Sequence, residues 1–171
     1  MNILFVSLGC DKNLVDTEVM LGLLASRGHQ MVDSEEIADV IVINTCCFIH
    51  DAKEESIQTI LEMAEYKKAG SCKALIVTGC LAQRYKQEII DEIEEVDAVL
   101  GTTSYDKIVE AIDEALAGHT SVEMTDIDAL PLVESKRLVT TGGHFAYLKI
   151  AEGCDKHCTY CIIPKIRGNF R

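Results

Sequence analysis

Three thiols lie close together near the end of the chain, at Cys154, Cys158 and Cys161. We call them the loop trio; their spacing is C-x3-C-x2-C, and they follow an apolar run, Phe145–Ile150. Thiolates are soft ligands that suit iron–sulfur clusters and zinc. Because a 4Fe–4S cluster normally takes four cysteine ligands, three thiols can hold three irons and leave the fourth open. An open iron can bind and reduce a small molecule.

Two other interpretations of the same residues stay open. A zinc site in a non-enzymatic interaction module would add His157 to the three thiols as the fourth ligand. A redox-active C-x-x-C pair would use Cys158 and Cys161 alone, but such a pair is expected inside a thioredoxin-like domain. Here the α/β pattern comes before the motif, which counts against the redox pair. The spacing of the three thiols favours the cluster.

Composition limits the classes of partner. The 171 residues suit one domain of ordinary size plus a little more, and the core should be aliphatic because Trp is absent. The net charge is −12, with 28 acidic against 16 basic residues. Phosphate contacts need clustered Lys and Arg. We therefore expect no direct nucleic-acid binding by this chain.

The eight cysteines bear on the cellular compartment. The sequence shows no basic stretch followed by a long apolar run, so we predict neither a signal peptide nor a membrane span. Without a secretory signal, many cysteines indicate a reducing compartment and metal sites before disulfides. We expect a cytoplasmic protein.

Apolar periodicity predicts alternating strands and helices as far as residue 118. The predicted strands are Asn2–Ser7, His29–Val32, Val40–Asn44, Lys73–Thr78 and Ala98–Gly101. The predicted helices are Asn13–Arg27, Asp51–Lys68, Leu81–Glu94 and Tyr105–Ala117. This alternation predicts an α/β fold, a doubly wound five-stranded parallel sheet of flavodoxin-like order 2-1-3-4-5. No G-x-G-x-x-G or Walker motif is present, so a nucleotide-binding domain is not predicted.

The remaining residues predict a linker and a second domain. Residues 119–143 show no clear period and carry Asp126, Asp128 and Pro131, so we expect a linker with one short strand near Arg137–Thr140. Residues 144–171 are expected to begin another domain, with Phe145–Ala151 as its first strand and the cysteine loop after it.

A second set of thiols follows three of the predicted strands. Cys10, Cys46 and Cys80, which we call the strand-end trio, come after the first, third and fourth strands. These strands would be neighbours about 4.8 Å apart, and ligands bind at the carboxyl ends of strands in open α/β sheets. The alternative is that they are small buried apolar residues. Three equivalent positions favour one shared cluster.

The other cysteines and histidines are expected to have structural or surface roles. Cys47 should point away from Cys46 and pack in the core or behind the ligands. Cys72 precedes a strand at the opposite edge of the sheet, so we interpret it as structural. Four histidines have polar neighbours and are expected on the surface: His29, His50, His119 and His144.

The sequence around the cysteines resembles that of a known family. Ser7–Glu18 (SLGCDKNLVDTE), Asn44–Cys46 (NTC) and Thr78–Gln83 (TGCLAQ) resemble the N-terminal domain of radical methylthiotransferases. The C-x3-C-x2-C spacing, with an aromatic residue before the last Cys, resembles the radical S-adenosylmethionine enzymes. The stretch from Leu148–Cys154 through Pro164–Gly168 is similar to the start of the family's radical domain, a radical SAM barrel that is truncated here. The resemblance covers the whole chain.

The resemblance implies cofactors and a reaction. The loop trio would hold a radical 4Fe–4S cluster that binds S-adenosyl-L-methionine. The strand-end trio would hold an auxiliary 4Fe–4S cluster that carries the sulfur to be transferred. The deoxyadenosyl radical would take a hydrogen from an unactivated substrate carbon, which would then meet that sulfur. The cofactors supply the difficult chemistry, so no side chain of this chain is expected to be catalytic.

The subfamily and partners are also implied by the resemblance. The SLGC-x-KNLVD wording is most similar to the members that add a methylthio group to the β-carbon of an aspartate in small-subunit ribosomal protein S-twelve. The implied partners are that protein and an electron donor such as flavodoxin or ferredoxin, with no membrane. The alternative is a transfer-RNA methylthiotransferase.

The family extends beyond the residues of this chain. Its members continue with most of a radical-enzyme barrel and a small C-terminal substrate-binding domain. We therefore expect this chain to be an N-terminal fragment that is inactive alone, with a poorly ordered tail. Without metal, the thiols should lie near each other but not at ligand geometry.

Overall fold

Three layers form the fold: helices cover both faces of one parallel sheet. The computed structural model describes residues 1–130 and 136–171. The described strands are β1 Asn2–Ser7, β2 Gln30–Val32, β3 Val40–Thr45, β4 Ala74–Gly79, β5 Ala98–Leu100 and β6 Ser121–Glu123. The helices are α1 Asp11–Ser26, α2 His50–Lys68, α3 Cys80–Glu92, α4 Ile108–Leu116 and α5 Ile163–Arg167. Short 3-10 turns lie at Glu35–Ile37 and Tyr105–Lys107.

The strand order is β2-β1-β3-β4-β5-β6, and every pairing is parallel. The predicted α/β class and the order of the first five strands are confirmed. The predicted count of five strands is wrong. A sixth strand, β6, lies within the expected linker and pairs with β5. Three residues with one apolar side chain, Val122, are too short to show a period of two.

Burial explains why the central strands were predictable. Every residue of β3 and β4 is buried, as expected for strands that helices cover on both faces. One face packs Ile43 and Leu75 against α2 and α3. The other packs Val42 and Ile76 against α1 and α4. The core is therefore aliphatic, and it fixes the sheet edge at which β1, β3 and β4 end.

Two predicted strands do not form. Residues of Arg137–Thr140 lie against α1, where the Leu138 amide donates to the Glu18 carbonyl at 3.0 Å. Phe145–Ala151 also forms no strand. A strand needs a neighbouring strand along its edge. In the described residues, both segments instead run across α1 and form bonds with its side chains. The predicted linker residue Pro131 lies outside the described residues.

The end of the chain packs onto the α/β domain. Ile166 and Arg167 of α5 are 1% and 2% exposed. Glu152 and Arg171 exchange backbone hydrogen bonds of 2.9 and 3.0 Å. The expectation of a poorly ordered tail is wrong, because this segment contributes both apolar and charged groups to the interior.

Within residues 1–130 and 136–171, no helix combines the length and the apolar character that a membrane span needs.

Candidate functional site

The carboxyl ends of three adjacent strands bring the strand-end trio to one place. Cys46 directly follows β3, and Cys80 directly follows β4 as the first residue of α3. The preceding residues, Thr45 and Gly79, pair across the two strands. Cys10 immediately precedes α1, after a short turn from β1. The strand order therefore positions all three cysteines at one edge of the sheet.

Two glycines make the turns that aim these cysteines. Gly9 and Gly79 have φ angles of +91° and +92°, which side chains other than glycine rarely adopt. A Cβ on Gly9 would lie 2.8 Å from the Cys46 Cβ, and a Cβ on Gly79 would overlap the Thr45 carbonyl oxygen. Only glycine lets the three loops approach so closely.

The strand-end trio lines a single cavity of about 490 Å³. This volume lies in the usual range for ligand pockets, about 300–1,000 Å³. Cys46 and Cys80 are 6% and 5% exposed, whereas Cys10 is exposed. The remaining walls are mostly apolar and include Phe48, Ile49, Ala52, Ile163 and Ile166. Such walls would keep water away from a bound group.

The chemistry of the donor set fits an iron–sulfur cluster, because three soft sulfur ligands converge on an apolar cavity. The thiols do not yet have ligand geometry: among residues 1–130 and 136–171, no three His, Cys, Asp or Glu side chains are arranged to hold a metal ion. The assignment of Cys10, Cys46 and Cys80 as ligands stays a prediction.

Burial raises the pKa of the Cys80 thiol to about 11, although the nearby Arg167 charge acts to lower it. In the metal-free protein Cys80 is therefore a neutral thiol at neutral pH. Metal binding requires the thiolate, so occupancy of this site would release the Cys80 proton.

Asn13 joins the loops that carry the strand-end trio. Its side-chain amide donates to the Leu8 and Thr45 carbonyl oxygens, each at 2.9 Å. Its Oδ1 accepts a bond from Arg167 and lies 3.8 Å from the Cys80 Sγ. Asn13 is fully buried. Sequence analysis missed it, although a polar residue on the inward face of an apolar helix was an available signal.

Ser56 of α2 holds the Cys46 backbone in the same way. Its hydroxyl accepts from the Cys46 amide and donates to the Cys46 carbonyl, each at 2.9 Å. The residue is completely buried. A single serine in a helix gave no signal in the sequence.

Cys47 and Cys72 lie in the core, as interpreted from the sequence. The Cys47 Sγ donates to the Cys80 carbonyl at 3.2 Å, and the Cys72 Sγ donates to the Ala74 carbonyl at 3.1 Å. Burial raises the pKa of both thiols. Their position supports structural roles.

The histidines agree with the surface interpretation. His50, His119 and His144 are exposed, and His29 is partly exposed. The His50 Nε2 lies 3.6 Å from a Glu54 carboxylate oxygen at the exposed start of α2.

The loop trio lies in an open part of the surface. Cys158 is exposed, while Cys154 and Cys161 are partly exposed. Cys158, Cys161 and His157 line a cavity of about 520 Å³, whose lining does not include Cys154. The Cys154 amide donates to the Gly168 carbonyl at 3.0 Å, which closes the loop at its base. The ligand roles of Cys154, Cys158 and Cys161 remain predictions.

A buried group of four charged residues ties the loop trio to α1. Asp16, Lys149, Glu152 and Arg167 form this group, which we call the charge quartet. Burial opposes the ionisation of Glu152, but the Arg167 and Lys149 charges lower its pKa to about 2. Glu152 is therefore ionised at neutral pH. Sequence analysis missed it because its members are far apart in the chain.

Comparison with known proteins finds one matching family model and several similar proteins. The model of the Uncharacterized protein family UPF0004 matches residues 2–101. A protein of Lachnoclostridium phytofermentans is 68% identical over 171 residues, all of this chain and 39% of that protein. A protein of Clostridioides difficile is 52% identical over 96% of this chain and 37% of its own length.

A third relative, from Desulforamulus reducens, is 54% identical over 97% of this chain and 38% of its own length. All three relatives carry the name "Ribosomal protein uS12 methylthiotransferase RimO". The chain spans less than two fifths of the length of these curated relatives.

Proposed function

The chain belongs to the uncharacterized protein family UPF0004, and from that premise we propose that it is the N-terminal part of a radical S-adenosylmethionine methylthiotransferase. The substrate in this proposal is an aspartate of the small-subunit ribosomal protein uS12, which is modified at its β-carbon. The names of its relatives support this substrate, since each is a uS12 methylthiotransferase.

One observation carries the proposal: Cys10, Cys46 and Cys80 line a single cavity although they are separated by 70 residues of sequence. α5 begins two residues after Cys161 and forms part of the wall of that cavity through Ile163 and Ile166. One short helix therefore follows the loop trio in sequence and lines the cavity of the strand-end trio. Each trio has the number of sulfurs that leaves one iron of a 4Fe–4S cluster open.

The cofactors would supply the chemistry and the chain would supply the ligands. When bound, two 4Fe–4S clusters and S-adenosyl-L-methionine would provide the radical that removes a hydrogen and the sulfur that replaces it. The strand-end trio would hold the sulfur-carrying cluster and the loop trio would hold the radical cluster.

The side chains around the strand-end trio have three tasks in this proposal. Phe48 and Ile49 give the cavity apolar walls, which would limit the contact of a reactive carbon radical with unwanted hydrogen donors. Asn13 orients the Cys10 and Cys46 loops through its two carbonyl contacts. The positive charge of Arg167 favours the thiolate of Cys80, which the ligand role needs.

The substrate would be bound largely by parts of the relatives that this chain does not span. The match to the L. phytofermentans protein covers 39% of that protein. We therefore propose that the 171 residues do not turn over substrate alone. An electron donor such as flavodoxin or ferredoxin would reduce the radical cluster in the longer protein, and the proposal places this chemistry in the cytoplasm.

Mass spectrometry of uS12 from cells with and without the gene tests this function. The proposal predicts a methylthio mass increment on one aspartate of uS12 that disappears with the gene and returns when the gene is restored. A restored gene in which Cys10, Cys46 and Cys80 are all serine should leave uS12 unmodified. An unmodified uS12 in wild-type cells, or the same increment on transfer RNA, would overturn the substrate assignment.

A further inference from the structure

Arg167 is buried beside the strand-end trio, on the helix that follows the loop trio. The residue is 2% exposed, and it lies six residues after Cys161 on α5. It also lines the cavity of the strand-end trio. A guanidinium is among the groups that proteins bury least often, and then only with partners. The buried guanidinium of Arg167 therefore needs partners in the interior.

The guanidinium of Arg167 contacts both α1 and the segment before the loop trio. Its Nη1 donates to Asp16 Oδ2 at 2.7 Å and to Glu152 Oε2 at 3.2 Å. Its Nη2 donates to Asn13 Oδ1, the atom that lies 3.8 Å from the Cys80 Sγ. One planar group thus forms hydrogen bonds with two residues of α1, Asp16 and Asn13, and with Glu152 in the segment before the loop trio. Through Asn13 it also lies close to Cys80.

The contacts clamp the loop trio at both of its ends. Glu152 lies two residues before Cys154, and Arg167 lies six residues after Cys161. Lys149 reinforces the first end, since its Nζ donates to Glu152 Oε2 at 2.9 Å and also bonds Asp16. The loop trio is therefore held to α1 by charged groups in front of it and behind it.

Such a contact is rigid for a physical reason. The guanidinium presents its donors in a fixed plane, so its bonds to two carboxylates and an amide set its orientation. A buried charge that loses its partner is strongly destabilised, so the group cannot easily leave its place.

We propose that Arg167 is a positioning residue, which fixes the loop trio relative to the strand-end trio and sets a positive charge beside Cys80. The inference rests on the proposed function in one respect, because that function makes both trios ligand sets. Arg167 acts through the side chains it orients and takes no part in the reaction.

Hydrogen exchange of the metal-free 171-residue chain tests the clamp in Arg167→Gln. The Glu152 and Cys154 amides are bonded to the Arg171 and Gly168 carbonyls at 2.9 and 3.0 Å. We expect their exchange to become at least tenfold faster in the variant. Unchanged exchange at these two amides would overturn the inference.

Arg137→Gln is the matched control. Arg137 also pairs with a buried carboxylate of α1, Glu18, but its partners include neither trio. This variant should accelerate exchange at Leu138 and Thr140, whose amides bond to Glu18, and leave Glu152 and Cys154 unchanged. Equal acceleration at Cys154 in both variants would show a general loosening and would overturn the positioning role.

A gentler variant covers the case in which Arg167→Gln does not fold. Glu152→Gln keeps the shape of the side chain and the Arg167–Asp16 pair, but removes the charge on the loop side. It should accelerate exchange at the amides of positions 152 and 154 while α1 keeps its protection. Unchanged exchange at both amides would contradict the clamp.

Iron loading separates this inference from the proposed function. If the wild-type chain takes up two clusters, magnetic coupling between the reduced clusters should appear in its electron paramagnetic spectrum and weaken in Arg167→Gln but not in Arg137→Gln. Coupling that is unaltered by Arg167→Gln would overturn the positioning role and leave the proposed function intact. A wild-type chain that takes up no iron would overturn both the proposed function and the positioning role, even if the exchange data still showed the clamp.

Discussion

The Arg167 guanidinium and the Asp16 carboxylate form a buried ion pair, with 2.7 Å between Nη1 and Oδ2, across 151 residues of sequence. Asp16 lies on α1, which begins directly after Cys10, and Arg167 ends the helix that follows Cys161. The pair therefore connects the element next to one set of thiols with the element next to the other.

Loss of Arg167 should destabilise the fold far more than loss of an exposed cation. Arg167→Met would leave Asp16 and Glu152 in the interior with Lys149 as their remaining buried cation. Breaking a buried pair in this way costs about 3–5 kcal/mol. Urea denaturation would measure the change in the free energy of unfolding.

Lys73→Met provides the comparison, because Lys73 pairs with Asp39 at 2.6 Å on the surface. Exposed pairs contribute about 0–1 kcal/mol. A loss in Arg167→Met no larger than that in Lys73→Met would show that the charge quartet does not stabilise the fold.

The low pKa of Glu152, about 2 against an ordinary value of 4.5, gives stability a pH dependence. The folded-state pKa lies below the unfolded-state value, so the carboxylate stabilises the fold above about pH 4.5. That contribution should be lost as the pH falls from about 4.5 towards 2. Denaturation curves at several pH values in this window would measure the slope.

Glu152→Gln should flatten this part of the profile, because an amide cannot take up the proton. The exposed Glu88, changed to Gln, serves as the control and should keep the wild-type slope. Identical slopes in wild type and Glu152→Gln would mean that Glu152 does not contribute to acid sensitivity.

Gly79→Ala should disrupt the turn from β4 into Cys80. Gly79 combines φ +92° with ψ −156°, a region open almost only to glycine, and an added Cβ would overlap Asn44 and Thr45. We expect poor folding or a large fall in unfolding free energy, together with loss of the cavity. Circular dichroism would measure folding, and denaturation would measure the free energy of unfolding.

Gly70→Ala is the control for backbone strain alone. Gly70 has φ +83°, but a Cβ there would meet no atom within 4 Å. Its cost should be about 1–2 kcal/mol, the penalty of the left-handed conformation. Equal effects of the two substitutions would show that the close approach at Gly79 is unimportant.

Thiol alkylation of the metal-free chain should follow burial and pKa. Cys10 and Cys158 are exposed and should be modified first by iodoacetamide at pH 8. Cys80, whose pKa burial raises to about 11, should be modified slowly, together with the buried Cys47 and Cys72. Peptide mass spectrometry gives the order, and modification of Cys80 as fast as Cys158 would contradict the described burial.

The position of the strand-end trio was predictable because its signals are local. Runs such as Val40–Asn44 and Lys73–Thr78 are continuous and apolar, so they mark strands covered on both faces. Once the strands and their flavodoxin-like order are predicted, Cys46 and Cys80 must lie on neighbouring ends. The structure places both cysteines beside Cys10 in one cavity.

Other features were hidden because they depend on contacts distant in sequence. No period links Arg167 with Asp16, and β6 is too short to show alternation. Helical spacing groups Ile57 and Leu61 with Ile60, yet these two are 39% and 45% exposed while Ile60 is buried. A pattern shows which face is apolar but not how far a neighbouring element covers it.

Iron and sulfide analysis after anaerobic reconstitution tests the central claim most directly, that Cys10, Cys46 and Cys80 form one ligand set. A wild-type chain with two 4Fe–4S clusters would hold about eight irons. Replacing this trio with serine should leave about four, as should replacing Cys154, Cys158 and Cys161. Cys72→Ala, a buried cysteine outside both sets, should keep all eight.

The account predicts a brown protein that loses half of its iron with each trio. A strand-end variant that keeps the full wild-type iron content, or a colourless wild-type chain that takes up only zinc, would contradict it.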